Sequence, residues 1–220
     1  MKSNILYRIL AILGIYLGLR YFGGEIGAKI LYPITLLVTF LHEFGHALGA
    51  LITGGSVNRV QISQDGSGFT ETVGGARAVI LMGGYLGSAI LGNLLFYLGA
   101  KKEKSSEIVL YILAILMLFT GIIWFNSIFT TVVLIVFAVV LFFIANKTSF
   151  SREVLMFLGL ATIIYIIQDF NVGPRSDLQK YAELFVVIPS TVWMYIWLAV
   201  AVILSFFNLR MIFRSARRAA

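Results

Sequence analysis

His42 and His46 are the only two histidines in 220 residues, and Glu43 stands between them in Phe40-Leu41-His42-Glu43-Phe44-Gly45-His46-Ala47-Leu48-Gly49. On a helix, positions i and i+4 lie one above the other, so both imidazoles project from one face and can hold a single metal ion. Glu43 falls about 60° around from His46 at about 100° per residue, within reach of a water on that ion. This is the pattern of a zinc hydrolase in which the glutamate is the general base. The alternative is a chance pentapeptide on a solvated helix face, and its surroundings argue against that. The motif lies inside an apolar segment from Ile30 to Ile52, where ionisable groups are costly unless they are paired or bind something.

Composition defines the elements that must position these groups. The chain is 60% hydrophobic and only 12% charged, with a mean hydropathy of +0.95, whereas soluble domains carry about 25% charged residues. The expected fold class is an all-α polytopic membrane protein, integral and multi-pass, in the cell membrane. With no cysteine, there is no disulfide framework and no thiolate ligand, so a third metal ligand must be an oxygen or another non-histidine group. The net charge of +7 reads as cationic flanking of membrane spans, and no basic-aromatic module points to nucleic acid.

Met1-Lys2 ahead of the apolar Ile5–Leu19 resembles the start of a signal peptide, but Arg20-Tyr21 follow in place of a small-residue cleavage site. An uncleaved first span, Ile5–Phe22, is therefore expected. The second span, Ile30–Ile52, has Pro33 in its first turn, where proline is tolerated. At about 1.5 Å per residue, His46 and His42 lie about 9 and 15 Å inside its Ile52 end. Gly45 and Gly49 leave room for another helix beside the histidines. The third span, Ala78–Leu98, contains Gly83, Gly84, Gly87, Ser88 and Gly92, a pattern of tight helix packing, and Asn93 is expected to hydrogen-bond between helices. The 38 apolar residues from Ile108 to Ala145 read as two spans turning at Trp124-Phe125-Asn126-Ser127. A sixth span at Val154–Ile167, a polar segment Gln168–Glu183 and a last span Phe185–Leu209 complete about seven transmembrane helices in one domain, residues 1–220.

Between the second and third spans the pattern changes. Val57–Ile62 and Phe69–Val73 alternate partially on either side of Asp65-Gly66-Ser67-Gly68, which predicts a short β-hairpin or re-entrant segment beside the motif's end of the second span. The bland reading is an ordinary interhelical loop. The functional reading makes these strands the candidate substrate-binding elements, an edge that pairs with an extended, unwound peptide.

Two histidines leave a catalytic zinc site short of the usual three protein ligands. If seven spans alternate, the ends of spans two and six emerge on one side, and Asp65, Glu71, Asp169, Asp177 and Glu183 are the carboxylates that remain once Glu43 is set aside as base. The bland alternative for Asp177 is that it, or Ser176, caps a helix starting near Leu178.

Taken together, His42-Glu43-Phe44-Gly45-His46 in an apolar span, the glycine-rich strand segment after it, the Gly-Ser-rich third span and Asn171-Val172-Gly173-Pro174-Arg175-Ser176-Asp177 resemble the site-2 protease family of intramembrane zinc metalloproteases. The nearer likeness is to its compact, membrane-only, peptidase-like branch. It covers residues 30–98 and 165–197 best. The chain differs from the family pattern in having Ser176-Asp177-Leu178 without the usual glycine, and Gly84-Tyr85-Leu86-Gly87-Ser88 without proline or asparagine. The resemblance implies one zinc ion per chain, held by His42, His46 and Asp177 with Asp169 in reserve, and Glu43 activating water. It also implies a transmembrane protein substrate cut in or near the lipid bilayer. An inactive membrane scaffold, or a metal-binding transport protein that keeps the site, is the alternative.

Two signals for orientation disagree. Alternating seven spans puts six Lys and Arg residues on the side of the motif's end and eleven on the other, so the positive-inside rule turns the metal toward the outer face. The family resemblance implies a site facing the cytoplasm.

Overall fold

The structure is a computed structural model that describes residues 2–218. Met1 and the side chains of Lys2, Arg217 and Arg218, which enter the charge count, lie outside what is described. Among the described residues, seven helices are long and apolar enough to cross a membrane. Helices suit that role because each satisfies its own backbone polar groups where no water can. In chain order the elements are α1 (Lys2–Phe22), α2 (Gly24–Ile52), β1 (Ser56–Ile62), β2 (Gly68–Val73), α3 (Arg77–Met82) and a π-turn (Gly83–Gly87). There follow α4 (Ser88–Gly99), α5 (Glu103–Ile123), α6 (Ile128–Lys147), α7 (Ser151–Gln168), α8 (Asp177–Leu184) and α9 (Ser190–Arg218). The chain is an all-α, multi-pass integral membrane protein with one small antiparallel hairpin.

The long apolar run divides where the sequence predicts. Ser127 caps α6 by accepting from the Thr130 amide, and α5 and α6 pack along each other around the buried Leu110, Met117 and Leu134. Asn93 makes the expected interhelical bonds: its Nδ2 donates to Ser205 Oγ at 3.1 Å, and Asn208 Nδ2 donates to Asn93 Oδ1 at 2.9 Å, joining α4 to α9.

Three expectations need correction. Pro33 is not in the first turn of its helix, because α2 already begins at Gly24. The chain breaks at Gly23-Gly24, where Gly24 has a φ of 54°, and a long membrane helix tolerates the one backbone bond that Pro33 cannot make. The last span starts at Ser190, not Phe185. Pro189 has no amide proton and biases Ile188 away from helical backbone, so Phe185–Pro189 forms turns instead. The hairpin does not stay at the end of α2. It folds back along the helix: Thr70 meets Glu43, Thr39 Oγ1 donates to Gly66 O at 2.7 Å, and Tyr32 Oη donates to Gln64 O at 2.7 Å.

The third span runs continuously from Arg77 to Gly99, with one π-helical turn at Gly83–Gly87. Its first half lies against α2 so closely that a Cβ on Gly49 would sit 2.9 Å from Ile80 Cα. The small residues thus bring α3 and the π-turn onto the face of α2 that carries the histidines.

Candidate metal centre

Helix α2 supplies His42, Glu43 and His46; Glu43 and His46 are only 5% and 7% exposed. The third group arrives from 131 residues downstream of His46, on α8. Leu178 and Tyr181 anchor that helix in a cluster with Trp197 and Val38. Ser176 Oγ accepts from the Gln179 amide at 3.1 Å and so caps α8. Capping and site-building are therefore not alternatives, because the serine caps while Asp177 turns inward.

Asp177 Oδ2 lies 3.1 Å from His42 Nε2 and 3.1 Å from His46 Nε2, and the two Nε2 atoms are 3.2 Å apart. Tetrahedral zinc at bond lengths of about 2.0–2.1 Å sets its ligands about 3.3–3.4 Å from one another. The triangle in the protein matches that edge to within about 0.3 Å. His46 Nδ1 donates to Ile80 O at 2.6 Å, which directs the Nε2 lone pair toward the triangle. Burial works against ionisation of Asp177, but its hydrogen bonding and charge interaction with the two imidazoles outweigh that and hold the carboxyl well below the usual range. A metal would take that group as a carboxylate.

Gly84 faces the same triangle. A Cβ there would lie 2.5 Å from His46 Nε2 and 2.6 Å from His42 Nε2, so only glycine leaves that space free. Gly84→Ala is expected to remove stoichiometric zinc while helix content is unchanged, which metal analysis and circular dichroism of the purified variant would check. Full zinc occupancy would show that the space is not needed.

Beside the triangle, Thr70 Oγ1 lies 2.7 Å from Glu43 Oε2 and 3.0 Å from Glu43 O, and can donate to either. Strand β1 is closed on its outer side, where the Val60 amide donates to Trp124 O and the Ile62 amide to Thr130 Oγ1. Among the described residues β2 pairs with β1 alone. Its Gly68, Phe69, Thr70 and Thr72 line a cavity of about 820 Å³ shared with His42, Glu43, His46 and Asp177. The predicted strands thus exist, each one residue longer than expected, and β2 has the open edge.

Asp169 lines the same cavity, but the cluster of metal-ligating groups among the described residues contains His42, His46 and Asp177 only. Sequence reasoning missed Tyr85, whose ring meets His42 edge-on at 4.8 Å, stacks on Phe170 at 4.8 Å and whose Oη donates to Asp169 O at 3.2 Å. It also missed Thr70 as the partner of Glu43. The paired Gly83-Gly84 was a signal for close approach, whereas nothing local marked Tyr85 or Thr70.

A bundle of membrane helices that gathers two histidines, a glutamate and an aspartate around one cavity defines an integral membrane protein with a candidate metal centre. The family profile described as Peptidase M50B-like matches residues 9–208, and the chain belongs to that family. M50 peptidases are zinc metallopeptidases, and the donor set here suits that metal. No curated protein and no solved structure matches the chain.

Proposed function

We propose that the protein is an intramembrane zinc metalloprotease in which His42, His46 and Asp177 hold one zinc ion and Glu43 is the general base. The observation that carries this reading is the 3.1–3.2 Å triangle of Nε2, Nε2 and Oδ2 atoms beside the buried Glu43 carboxylate. Zinc held there would supply a Lewis acid for the scissile carbonyl and lower the pKa of the attacking water.

The remaining work falls to the chain's own groups. Glu43 takes the proton of the attacking water at a carboxylate oxygen and returns it to the leaving amine. Thr70, when its hydroxyl donates to Oε2, fixes the carboxylate's rotation and leaves Oε1 for that transfer. A helical substrate hides its carbonyls in i→i−4 bonds and must unwind before it can be cut. The open edge of β2 offers backbone partners to such an extended segment, alongside the cavity. The substrate is then a transmembrane protein, reached within the bilayer.

The test is reconstitution in liposomes with a transmembrane substrate. Cleavage should disappear with 1,10-phenanthroline and return on adding one equivalent of zinc. Cleavage that persists without metal would overturn the zinc mechanism. Zinc-loaded protein that cuts no membrane substrate would favour a scaffold or a metal-transport role.

A further inference from the structure

The loop that delivers Asp177 to the metal centre holds a backbone conformation its residue type disfavours. The Ser176 amide donates to Gly173 O at 3.1 Å and closes the turn Gly173-Pro174-Arg175-Ser176. Proline in the second position fixes a negative φ there, and Arg175 in the third has a φ of 69°. Those angles define a type II turn, whose third position is normally glycine or asparagine. Arg175 is the one non-glycine among the described residues with a positive φ. A long side chain held in that region strains the backbone, and such strain collects at functional sites. Glycine would close the same turn without strain, so the turn does not account for an arginine.

The cavity does account for one. Arg175 lines the space shared by His42, Glu43, His46 and Asp177, and so does Arg77, the first residue of α3. Both arginines are exposed, and neither makes an ion pair among the described residues. Lys180 differs, since its Nζ lies 3.7 Å from Asp177 Oδ1. Asp169 lines the cavity too without pairing with either arginine. A guanidinium is a planar fork that matches a carboxylate with two parallel hydrogen bonds, and the pair is stronger in a cavity shielded from water than in open solvent. A cavity of about 820 Å³ is about 12 Å across, the length of three to four residues of extended chain at about 3.3 Å each. The open edge of β2 borders the same space, and Arg77 follows the end of that strand by four residues.

We propose that Arg175, together with Arg77, forms a carboxylate-binding site for the substrate, so that preferred substrates carry an acidic side chain or a free C-terminal carboxylate within a few residues of the scissile bond. The link to cleavage rests on the proteolytic reading above, whereas carboxylate binding does not.

The test is binding to zinc-loaded Glu43→Gln protein, read by fluorescence anisotropy. The probes are short peptides of alternating Thr and Ala with a neutral fluorophore and a C-terminal amide. One Glu is placed at successive positions, and each peptide is compared with its Gln counterpart. A further arm replaces the amide of the Glu-free peptide, at successive lengths, by a free carboxylate, which separates a chain end from a side chain. In at least one position or length the carboxylate is expected to tighten Kd by about 10–100-fold, the range of a hydrogen bond between charged groups. Adding Arg175→Gly should abolish that preference while zinc and helix content stay, because glycine accepts a φ of 69°. Arg175→Lys, with the charge but not the fork, should keep a reduced preference, and it serves as the readout if the glycine variant does not fold. Equal Kd for every charged and neutral pair would overturn the site. A preference that survives Arg175→Gly and Arg77→Gln together would place the carboxylate on the zinc and overturn it as well. Binding needs no hydrolysis, so a carboxylate preference in a protein that cuts nothing would leave the site standing and remove only the proteolytic reading. Cleavage by the wild type with no such preference would do the opposite.

Discussion

Glu43→Gln is expected to keep one zinc per chain and to lose hydrolysis by about 10²–10⁴-fold, the range a positioned general base contributes. The substitution changes one oxygen for an amide group of nearly the same shape. Its remaining oxygen can still accept from Thr70 Oγ1, which lies 2.7 Å from Glu43 Oε2. Neither the hairpin contact nor the triangle of His42, His46 and Asp177 depends on the lost charge. What disappears is the carboxylate that takes a proton from water, since an amide has no basic lone pair near neutral pH. Zinc content and turnover measured on the same preparation separate the two effects. Unchanged turnover would remove Glu43 from the role of base.

Asp177→Ala is expected to act one step earlier, on the metal itself. It removes the only anion in the triangle and leaves two imidazoles, so zinc affinity should fall by more than about 100-fold, beyond the 10–100-fold typical when a residue behind a ligand is lost. Leu178 and Tyr181 anchor α8 and Ser176 caps it, all without the Asp177 carboxylate, so the fold should persist. His46→Ala belongs beside it as the reference for a site with a ligand gone. Elemental analysis of the three proteins is the measurement. Full occupancy in Asp177→Ala would move the third ligand to Asp169, which lines the same cavity.

The physics behind these expectations divides unevenly between sequence and tertiary structure. Hydropathy was enough for seven membrane helices, because a span needs about 20 apolar residues whatever surrounds it. The split of Ile108–Ala145 followed from its length, and its place from Trp124-Phe125-Asn126-Ser127 near the middle. Pro33 and the start of α9 were misplaced because a helix boundary depends on where the neighbouring residues can break, at Gly23-Gly24 and at Pro189.

The same division runs through the site. By itself the sequence determined that His42 and His46 share a helix face with Glu43 near at hand, since i, i+4 geometry is local and holds wherever that helix is placed. It narrowed the third group to a few carboxylates, among which only a family likeness pointed to Asp177. Tertiary structure decided that Asp177 stands 3.1 Å from both imidazoles, that Gly84 leaves space for a metal beside them, and that Thr70 of the infolded hairpin meets Glu43. Those contacts join residues 27 to 135 apart, and they depend on how helices pack. Small residues on α2 and the third span decide how closely those helices approach, and the periodicity of one segment carries no information about the partner that will fill its neighbour's space.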